Sequence, residues 1–363
     1  MTSSNTLFGR MAVFHSHSQP QVIEKQVVPT PTVQEVLVQI TCCTLCGSDI
    51  HTVNGHRSVA TPTVLGHEIV GRIVKFGEAH PRIDFAGKPL QENDRITWTV
   101  IDRCRQCFYC MQNLPQKCEQ LQKYGHVLHS VENAFAGGLA DYILLKSGTD
   151  CIRVPDNIPD PIATQASCST ATVAAIYRHA PKFQTVFIFG AGVLGLTAAA
   201  MAHASGAEVI AICDRDPVCL KRASGFGAGA LFDADLPTQA KELSQLTHGR
   251  GFDLVIELAG TQQTCAAAIP LTRIGGTIIF AGTVSPTEPI PLDPELMVRR
   301  LLTIKGVHNY TSLDLQKALD FLENSGKNYP FELLVGETFP LSEVNAAFER
   351  ARTTRGMRIV VRP

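Results

Sequence analysis

The alternation of apolar and polar residues predicts a β-rich N-terminal region. Between Gln21 and Ile40 the two kinds of residue alternate, as in "QEVLVQI", and residues 64–74, "VLGHEIVGRIV", repeat the alternation around glycines. A period of two is typical of strands that bury one face. We therefore expect short strands joined by tight turns in this part of the chain.

A different pattern begins near Thr185 and continues to about Gly306. Four apolar runs, "TVFIFG", "EVIAICD", "DLVIELAG" and "TIIFAG", are separated by alanine-rich or polar segments of helical length. Apolar runs of this kind are typical of strands buried on both faces, so the pattern predicts a parallel sheet with helices between its strands.

The C-terminal tail and one connecting segment complete the predicted organisation. "SLDLQKALDFLENSG" and "VNAAFERARTTRG" predict helices, and "MRIVVR" predicts a short strand that packs back on the N-terminal part. "DPIATQASCSTATVAAIYRHA" predicts a helix that bridges two domains. A length of 363 residues fits two domains, which we expect to be 1–160 together with 316–363, and 161–315.

Composition narrows the classes of protein and partner. The net charge of -1, with 45% apolar and 18% charged residues, is typical of a compact soluble protein without a nucleic-acid partner. The N-terminus lacks a secretory signal, and the longest apolar run, 194–202, is too short to cross a membrane. We expect a cytoplasmic protein, in which reducing conditions disfavour structural disulfides. The twelve cysteines therefore suggest metal binding.

A glycine motif predicts dinucleotide binding. Gly190, Gly192 and Gly195 form G-x-G-x-x-G directly after "TVFIFG" and before "LTAAAMAHASG". The glycines allow a tight turn, a close approach of the backbone to a pyrophosphate and close helix packing, while free N–H groups attract the anion. Val193 and Leu194, inside the motif, belong to the same predicted site. The alternative is an ordinary strand-to-helix turn.

The next strand indicates which dinucleotide binds. It ends in Asp214, nineteen residues after Gly195, where a carboxylate can accept hydrogen bonds from the adenosine ribose hydroxyls. A carboxylate there repels a 2′-phosphate, which favours NAD over NADP. Arg215 follows directly and could serve a phosphate, so NADP stays open.

Four closely spaced cysteines predict a structural metal site. They follow the pattern C-x2-C-x2-C-x7-C at Cys104, Cys107, Cys110 and Cys118. Four thiolates complete the tetrahedron of a zinc ion and leave no position for a substrate. An iron–sulfur cluster would also use four cysteines, and the spacing alone leaves that alternative open.

A sparser set predicts the catalytic metal site. Cys46 in "CTLCGSDIHTVNG" and His67 in "VLGHEIVG" offer two of the three protein ligands that a catalytic zinc needs. Cys168 in "QASCSTATV" is our candidate for the third. The alternatives are a satisfied core histidine and a buried helix cysteine.

Taken in order, these motifs resemble a zinc-dependent alcohol dehydrogenase of the medium-chain dehydrogenase/reductase superfamily, over essentially the full chain. The resemblance implies an α/β protein with a GroES-like β-rich catalytic domain and a Rossmann coenzyme domain. It also implies two zinc ions per chain, NAD, a small alcohol or aldehyde as substrate, and a homodimer or homotetramer. Alternatives within and beyond this class are a polyol dehydrogenase or aldehyde reductase, a lyase or isomerase that uses tightly bound NAD transiently, and a binding protein that has lost catalysis.

The same resemblance implies roles for individual residues. Cys46, His67 and Cys168 match the catalytic-zinc ligands, and the four-cysteine run matches the structural site. Ser48 matches the hydroxyl that hydrogen-bonds the substrate, and His51 matches the outer end of a proton relay. Asp49 and Glu68 match carboxylates that tune the metal ligands. Thr172 matches a nicotinamide contact, and Arg358 matches a pyrophosphate contact.

A narrower resemblance concerns the substrate. "NDRITW", "LPQKCEQLQKYGH" and "SCSTATVAA" are similar to bacterial alcohol dehydrogenases associated with phosphonate catabolism. This resemblance implies a small alcohol that carries an anionic phosphonate, and hence basic side chains near the zinc. The candidates, each with solvated surface charge as its alternative, are Arg57, Arg103, Lys123, His126, Arg299 and Arg300.

Overall fold

The structure, a computed structural model, describes residues 6–17, 19–234 and 236–363. Its strands in chain order are β1 (Phe8–Phe14), β2 (Val22–Val27), β3 (Val36–Thr44), β4 (Thr63–Val64), β5 (Glu68–Phe76), β6 (Arg95–Trp98), β7 (Ile101–Asp102), β8 (Gln122–Lys123), β9 (Tyr142–Leu145), β10 (Cys151–Arg153), β11 (Thr185–Phe189), β12 (Val209–Cys213), β13 (Ala230–Phe232), β14 (Phe252–Glu257), β15 (Thr272–Phe280), β16 (Thr303–Gly306), β17 (Val335–Pro340) and β18 (Arg358–Arg362).

Helices connect these strands. The α-helices are α1 (Gly47–Val53), α2 (Phe108–Met111), α3 (Asp160–Ala163), α4 (Ser169–His179), α5 (Val193–Ala204), α6 (Pro217–Arg222), α7 (Ala240–Leu246), α8 (Gln262–Leu271), α9 (Pro294–Arg300), α10 (Ser312–Asn324) and α11 (Val344–Thr353). Short 3₁₀ helices cover Pro115–Lys117, Thr164–Ser167, Ala223–Phe226, Leu236–Gln239, Gly326–Asn328, Phe331–Leu334 and Leu341–Glu343. In the described residues, none of the helices combines the length and the apolar character needed to cross a membrane.

The chain divides into two compact units. Unit 1 comprises the described residues up to 171 together with 311–323 and 335–363, and unit 2 comprises 172–310 and 324–334. The domain boundaries expected from the sequence, at 160 and 315, stay a prediction.

Unit 1 contains a sheet with the strand order β10-β6-β5-β3-β18-β17, in which β9 also pairs with β3. The C-terminal strand β18 pairs antiparallel with β3, with Val360 opposite Thr44. Apolar side chains from several strands are fully buried here, including Met11, Val38 and Ile96. The paired ends of β3, β5 and β18 hold the first metal-binding candidates described below.

Unit 2 is built on a six-stranded sheet with the order β13-β12-β11-β14-β15-β16. Each pairing in it is parallel, and Phe187, Phe252 and Ile278 lie in its fully buried interior. This arrangement confirms the Rossmann-like parallel sheet predicted from the four apolar runs. Two short edge strands, β13 and β16, were not predicted, because three or four residues give no clear periodicity.

The segment 160–180, in which we expected a bridging helix, contains two α-helices. It forms α3, a 3₁₀ turn and then α4, and the break falls at Cys168, whose backbone (φ -142°, ψ -83°) is not helical. The break places Cys168 Sγ 3.9 Å from Cys46 Sγ. A helix is present in this segment, as predicted, but the break before it, which orients a candidate metal ligand, was not predicted.

Candidate metal centres and dinucleotide site

Cys46 lies where a buried strand ends and a helix begins. It follows β3 and is the N-cap residue of α1, with extended backbone (φ -82°, ψ 157°). Its N–H donates a 2.9 Å hydrogen bond to Asp49 Oδ2, which satisfies one of the free N–H groups that helices expose at their start. The thiol is buried, so the local fold fixes its direction.

His67 directly precedes β5, and its ring is 5% exposed. Nδ1 donates a 3.2 Å hydrogen bond to Asp49 Oδ1, the other oxygen of the carboxylate that caps α1. This contact fixes one proton on Nδ1, so Nε2 is the nitrogen that would bind a metal once its own proton is displaced. Ser48 Oγ lies 3.4 Å from Nε2, which places a hydroxyl beside that nitrogen.

The three candidate donors come together in the structure. The donor atoms of Cys46, His67 and Cys168 all lie within 4.8 Å of one another. Two sulfur atoms bound to one tetrahedral zinc at about 2.3 Å would lie about 3.8 Å apart, close to the 3.9 Å between the two Sγ atoms. The group fits a zinc ion with three protein ligands and one open position.

A buried ion pair lies behind this group. Arg358 Nε is 2.8 Å from Glu68 Oε2, and Arg358 Nη2 is 3.6 Å from Cys46 Sγ. Glu68 also accepts a 2.7 Å hydrogen bond from Thr44, whose hydroxyl contacts Thr164 at 3.0 Å. The two threonines were not predicted as part of the site, because their local sequence gives no sign that Thr44 and Thr164, from distant segments, are in contact. The contacts of Arg358 described here are with Glu68 and Cys46, and its predicted pyrophosphate contact stays a prediction.

The surroundings of the three donors shift their pKa values in different directions. A hydrogen bond from Cys168, followed by the charges of Arg358 and His67, lowers the pKa of Cys46 well below its usual value. The same hydrogen bond and burial raise the pKa of Cys168. Burial lowers the pKa of His67, but Asp49 and Cys46 outweigh it and raise that pKa to about 10. Without a metal the group therefore holds one thiolate and two protons that a metal would displace.

The second metal candidate is the short loop around α2. The Sγ atoms of Cys104, Cys107, Cys110 and Cys118 lie within 4.8 Å of one another, and the Cys118 sulfur is 3.5 Å from that of Cys104 and 3.9 Å from that of Cys107. Hydrogen bonds from the backbone N–H groups of Glu119 and Cys110 lower the pKa of Cys107 to about 6. Four sulfur donors at these separations fit one tetrahedral zinc with no open position.

The glycine motif in unit 2 has the backbone that the fingerprint requires. Gly190 has φ +97°, which favours glycine, and Gly192 is the N-cap of α5. A Cβ on Gly195 would lie 1.7 Å from Gly190 O, so a larger residue cannot occupy that position. Asp214 Oδ2 accepts from Ala191 N at 2.6 Å, which ties the end of β12 to the glycine turn.

The remaining predicted residues occupy simpler surroundings. His51 is exposed near the end of α1, with its ring centroid 5.9 Å from that of His56. Arg215 is exposed, and Thr172 is half-buried in α4. Val193 and Leu194 begin α5.

The six basic candidates fall into two groups. Arg57 Nη1 lies 2.7 Å from His126 Nε2, and the His126 ring centroid lies 5.5 Å from that of His67, whereas Lys123 pairs with Ile101 between β7 and β8. The other three are engaged elsewhere, since Arg103 pairs with Asp150, Arg299 with Glu295, and Arg300 with the carbonyl of Ile269.

Comparison with known proteins identifies the family. The chain matches the alcohol dehydrogenase GroES-like domain over residues 32–156 and the zinc-binding dehydrogenase domain over residues 193–324. It is 28% identical to 5-exo-hydroxycamphor dehydrogenase from Pseudomonas putida, with 94% of this chain and 95% of the relative covered. It is 27% identical to D-arabitol-phosphate dehydrogenase from Enterococcus avium, with 92% and 91% covered.

A solved structure agrees with both matches. An alcohol dehydrogenase from Thermotoga maritima superposes with a TM-score of 0.91 at 27% identity, covering 98% of this chain and all of the other. The chain therefore belongs to the zinc-dependent alcohol dehydrogenases of the medium-chain dehydrogenase/reductase superfamily. It is an oxidoreductase that uses zinc and a nicotinamide dinucleotide to interconvert alcohols and their carbonyl products. The fold class and the family predicted from the sequence are confirmed.

Proposed function

We propose that the protein dehydrogenates a small alcohol with NAD at a zinc ion held by Cys46, His67 and Cys168. One observation carries this proposal: these donors lie within 4.8 Å of one another and are three in number, whereas the other cluster has four. A three-ligand site keeps a coordination position for substrate. We propose that Cys104, Cys107, Cys110 and Cys118 hold a second, structural zinc.

The cofactors would supply the two difficult parts of the reaction. When bound, zinc is a Lewis acid that lowers the pKa of the substrate hydroxyl, and the oxidised nicotinamide is the hydride acceptor.

The chain's own residues orient the reaction and move the proton. Asp49 holds the imidazole of His67 in the tautomer that leaves Nε2 free. Ser48, with its hydroxyl 3.4 Å from that nitrogen, would accept the substrate's proton and pass it toward His51, which is exposed and can release it to water. Glu68 and Arg358 neutralise each other beside Cys46 and keep its thiolate in place.

The nucleotide site supports NAD over NADP. Asp214 stands at the end of β12 with one carboxylate oxygen bonded to Ala191 N and the other to Asp216 N. These bonds hold the carboxylate in a fixed position, where it would repel a 2′-phosphate. Gly190, Gly192, Val193, Leu194 and Gly195 would hold the pyrophosphate, Thr172 would contact the nicotinamide, and Arg215 and Arg358 are proposed as auxiliary contacts.

The substrate, the assembly and the cellular location are also proposals. One relative is named for a hydroxycamphor and another for a sugar-alcohol phosphate, so names within the family include both neutral and anionic alcohols. We propose a small alcohol or its aldehyde as substrate, a homodimer or homotetramer as assembly, and the cytoplasm as location.

An activity screen tests the proposal. Zinc-loaded protein is mixed with NAD or NADP and with short alcohols, polyols and hydroxyalkyl phosphonates, and formation of reduced coenzyme is followed by absorbance. We expect turnover with NAD, a loss of about 100-fold or more in Ser48→Ala, and retention of most activity in Ser48→Thr, which keeps the hydroxyl. Tightly copurifying NAD with no net reduction by any alcohol would favour a lyase or isomerase instead.

A further inference from the structure

Three buried polar side chains form one hydrogen-bonded network beside the Cys46 group. The Thr44 hydroxyl donates a 2.7 Å hydrogen bond to Glu68 Oε2, and the hydroxyl oxygens of Thr44 and Thr164 are 3.0 Å apart. Thr44, Glu68 and Thr164, which we call the threonine network, are each 0% exposed. Because bulk water does not reach these groups, each depends on its protein partners for hydrogen bonds.

Each member of the threonine network is close in sequence to a different metal donor. The pairs are Cys46 with Thr44 at the end of β3, His67 with Glu68 at the start of β5, and Cys168 with Thr164 at the two ends of the 3₁₀ turn. The pairing of β3 with β5 already places Thr44 opposite Glu68. Cys168 lies outside this sheet, so Thr164 is the member that joins the third donor to the other two.

The direction of the hydrogen bonds gives Thr164 its place in the network. The Thr44 hydroxyl has one proton and donates it to the Glu68 carboxylate, so its oxygen is an acceptor toward Thr164. The Thr164 proton has two acceptors within reach, Thr44 Oγ1 and the carbonyl oxygen of Pro161, each 3.0 Å from Thr164 Oγ1. The Thr164 hydroxyl therefore ties the start of the turn to β3 and to α3.

Ser167 brings the other end of the turn against β5. Its hydroxyl donates a 3.2 Å hydrogen bond to the carbonyl oxygen of Thr164, and the backbone nitrogen of Ile69 lies 3.5 Å from the same hydroxyl oxygen. The turn is thus held at its start by β3 and at its end by β5. Cys168 follows Ser167 directly with a backbone that is not helical, so the position of the turn fixes the direction of its thiol.

We propose that Thr164 is a positioning residue for the metal, whose hydroxyl sets the place of Cys168 relative to Cys46 and His67. The inference rests on the proposed function, because it concerns the ion at which the alcohol would react. Donors that are held at the spacing of a zinc ion before it binds lose less conformational freedom on binding. The spacing to be held is the 3.9 Å between the sulfurs of Cys46 and Cys168. Loss of the Thr164 hydroxyl should therefore change both the affinity for zinc and the arrangement of its ligands.

Cobalt in place of zinc tests the ligand arrangement without turnover. Co²⁺ takes the same ligands as zinc, and its absorption depends on the number and arrangement of the thiolates. Bands from the four-cysteine loop are measured in Cys46→Ser and subtracted. Thr164→Val keeps the shape of the side chain but removes the hydroxyl, so it should change the sulfur-to-cobalt bands. In a chelator competition it should also weaken zinc binding about 10- to 100-fold, the range expected for a residue that orients a ligand.

Two further variants separate positioning from a general loss of packing. Thr164→Ser keeps the hydroxyl and should restore both the cobalt bands and the zinc affinity. The matched control is Thr272→Val in unit 2, because Thr272 is also 0% exposed and its hydroxyl donates to the carbonyl oxygen of Ala268. It should change neither quantity. Thermal melting of the metal-free proteins checks folding, and Thr164→Ala replaces Thr164→Val if the latter does not fold. Wild-type cobalt bands and zinc affinity without the hydroxyl would overturn the proposal.

A double-mutant cycle tests whether Thr164 acts through Thr44. Zinc affinity is measured in Thr44→Val, in Thr164→Val and in the variant that carries both changes. If the contact between the two hydroxyls transmits the effect, Thr164→Val should weaken zinc binding less in the Thr44→Val background than in the wild type. Equal losses in the two backgrounds would show that Thr164 acts independently of Thr44 and would overturn the network.

An alcohol assay then separates this inference from the proposed function. Suppose that the wild type oxidises an alcohol with NAD, while Thr164→Val keeps the wild-type cobalt bands and zinc affinity. The inference is then refuted and the function stands. If instead Thr164→Val changes the bands and the affinity but the wild type oxidises no alcohol, the function is refuted and the inference stands.

Discussion

The four-cysteine loop and the Cys46 group bring metal donors together in opposite ways. The loop draws four sulfurs from fifteen consecutive residues, and its surroundings are open, with Phe108 64% and Met111 67% exposed. The Cys46 group draws three donors from segments up to 122 residues apart, among buried carboxylates. The four neighbouring donors fill the coordination shell of a metal at an exposed site. The three distant donors form a buried site that leaves one coordination position free. The difference teaches that donor number and surroundings, rather than donor density, indicate where chemistry takes place.

Removing one thiol from each site should have the most unequal result. We expect Cys46→Ser to lower kcat/KM by at least about 1000-fold, because several kcal/mol of Lewis-acid stabilisation are lost. Cys107→Ser should instead lower the melting temperature by about 5 °C or more, with kcat/KM per folded chain within about tenfold of the wild type. Steady-state kinetics and calorimetry measure both. Similar activity losses in two equally stable variants would remove the distinction between the sites.

The buried charges around the Cys46 group should matter for stability. Glu68→Gln leaves Arg358, which is 7% exposed, without its partner, and should lower the free energy of unfolding by about 3 kcal/mol. The control is Glu295→Gln, which breaks a pair between two exposed side chains and should change the free energy of unfolding by less than about 0.5 kcal/mol. Denaturant unfolding measures both variants. Equal effects would show that burial of the pair contributes nothing.

Protons should compete with zinc at the Cys46 group. In the metal-free protein His67, with a raised pKa of about 10, and Cys168, also with a raised pKa, are protonated at neutral pH, whereas Cys46 is a thiolate. Zinc must displace both protons, so its affinity should rise with pH, by about 100-fold per unit for two protons. Competition with a chelator at about pH 7 and about pH 8 measures how steeply the zinc affinity rises with pH. A pH-independent affinity would contradict the protonation states inferred for the group.

Changing the carboxylate that orients His67 should have the smallest effect. In Asp49→Asn one amide oxygen can still accept from His67, but the NH₂ group then faces the N–H of Cys46, which also donates. We expect zinc affinity and kcat to fall about 10- to 100-fold. Glu119→Gln, an exposed change beside the four-cysteine loop, is the control and should alter neither. An unchanged zinc affinity in Asp49→Asn would show that the hydrogen bond to His67 does not orient the ligand.

Much of this picture could be predicted from the sequence, and the limits have physical causes. Four of the six strands in the sheet of unit 2 could be predicted, because buried parallel strands form continuous apolar runs. The four-cysteine loop could be predicted because its donors all lie within fifteen consecutive residues. The break at Cys168 and the pairing of Arg358 with Glu68 depend on contacts across the fold, which no local pattern records. The hydrogen bond between Arg57 and His126 likewise joins segments 69 residues apart.

Stepwise removal of zinc tests the central claim most directly. Protein with both sites filled is dialysed against increasing chelator, while zinc content, NADH formation from an alcohol and the melting temperature are followed together. We expect activity to disappear with the loss of zinc from the Cys46 group while the four-cysteine loop keeps its metal and the chain stays folded, and zinc addition to restore activity. The Cys46→Ser variant should contain only one zinc per chain and should form no NADH even before the chelator is added. Activity that persists in protein whose Cys46 group is empty would contradict the account.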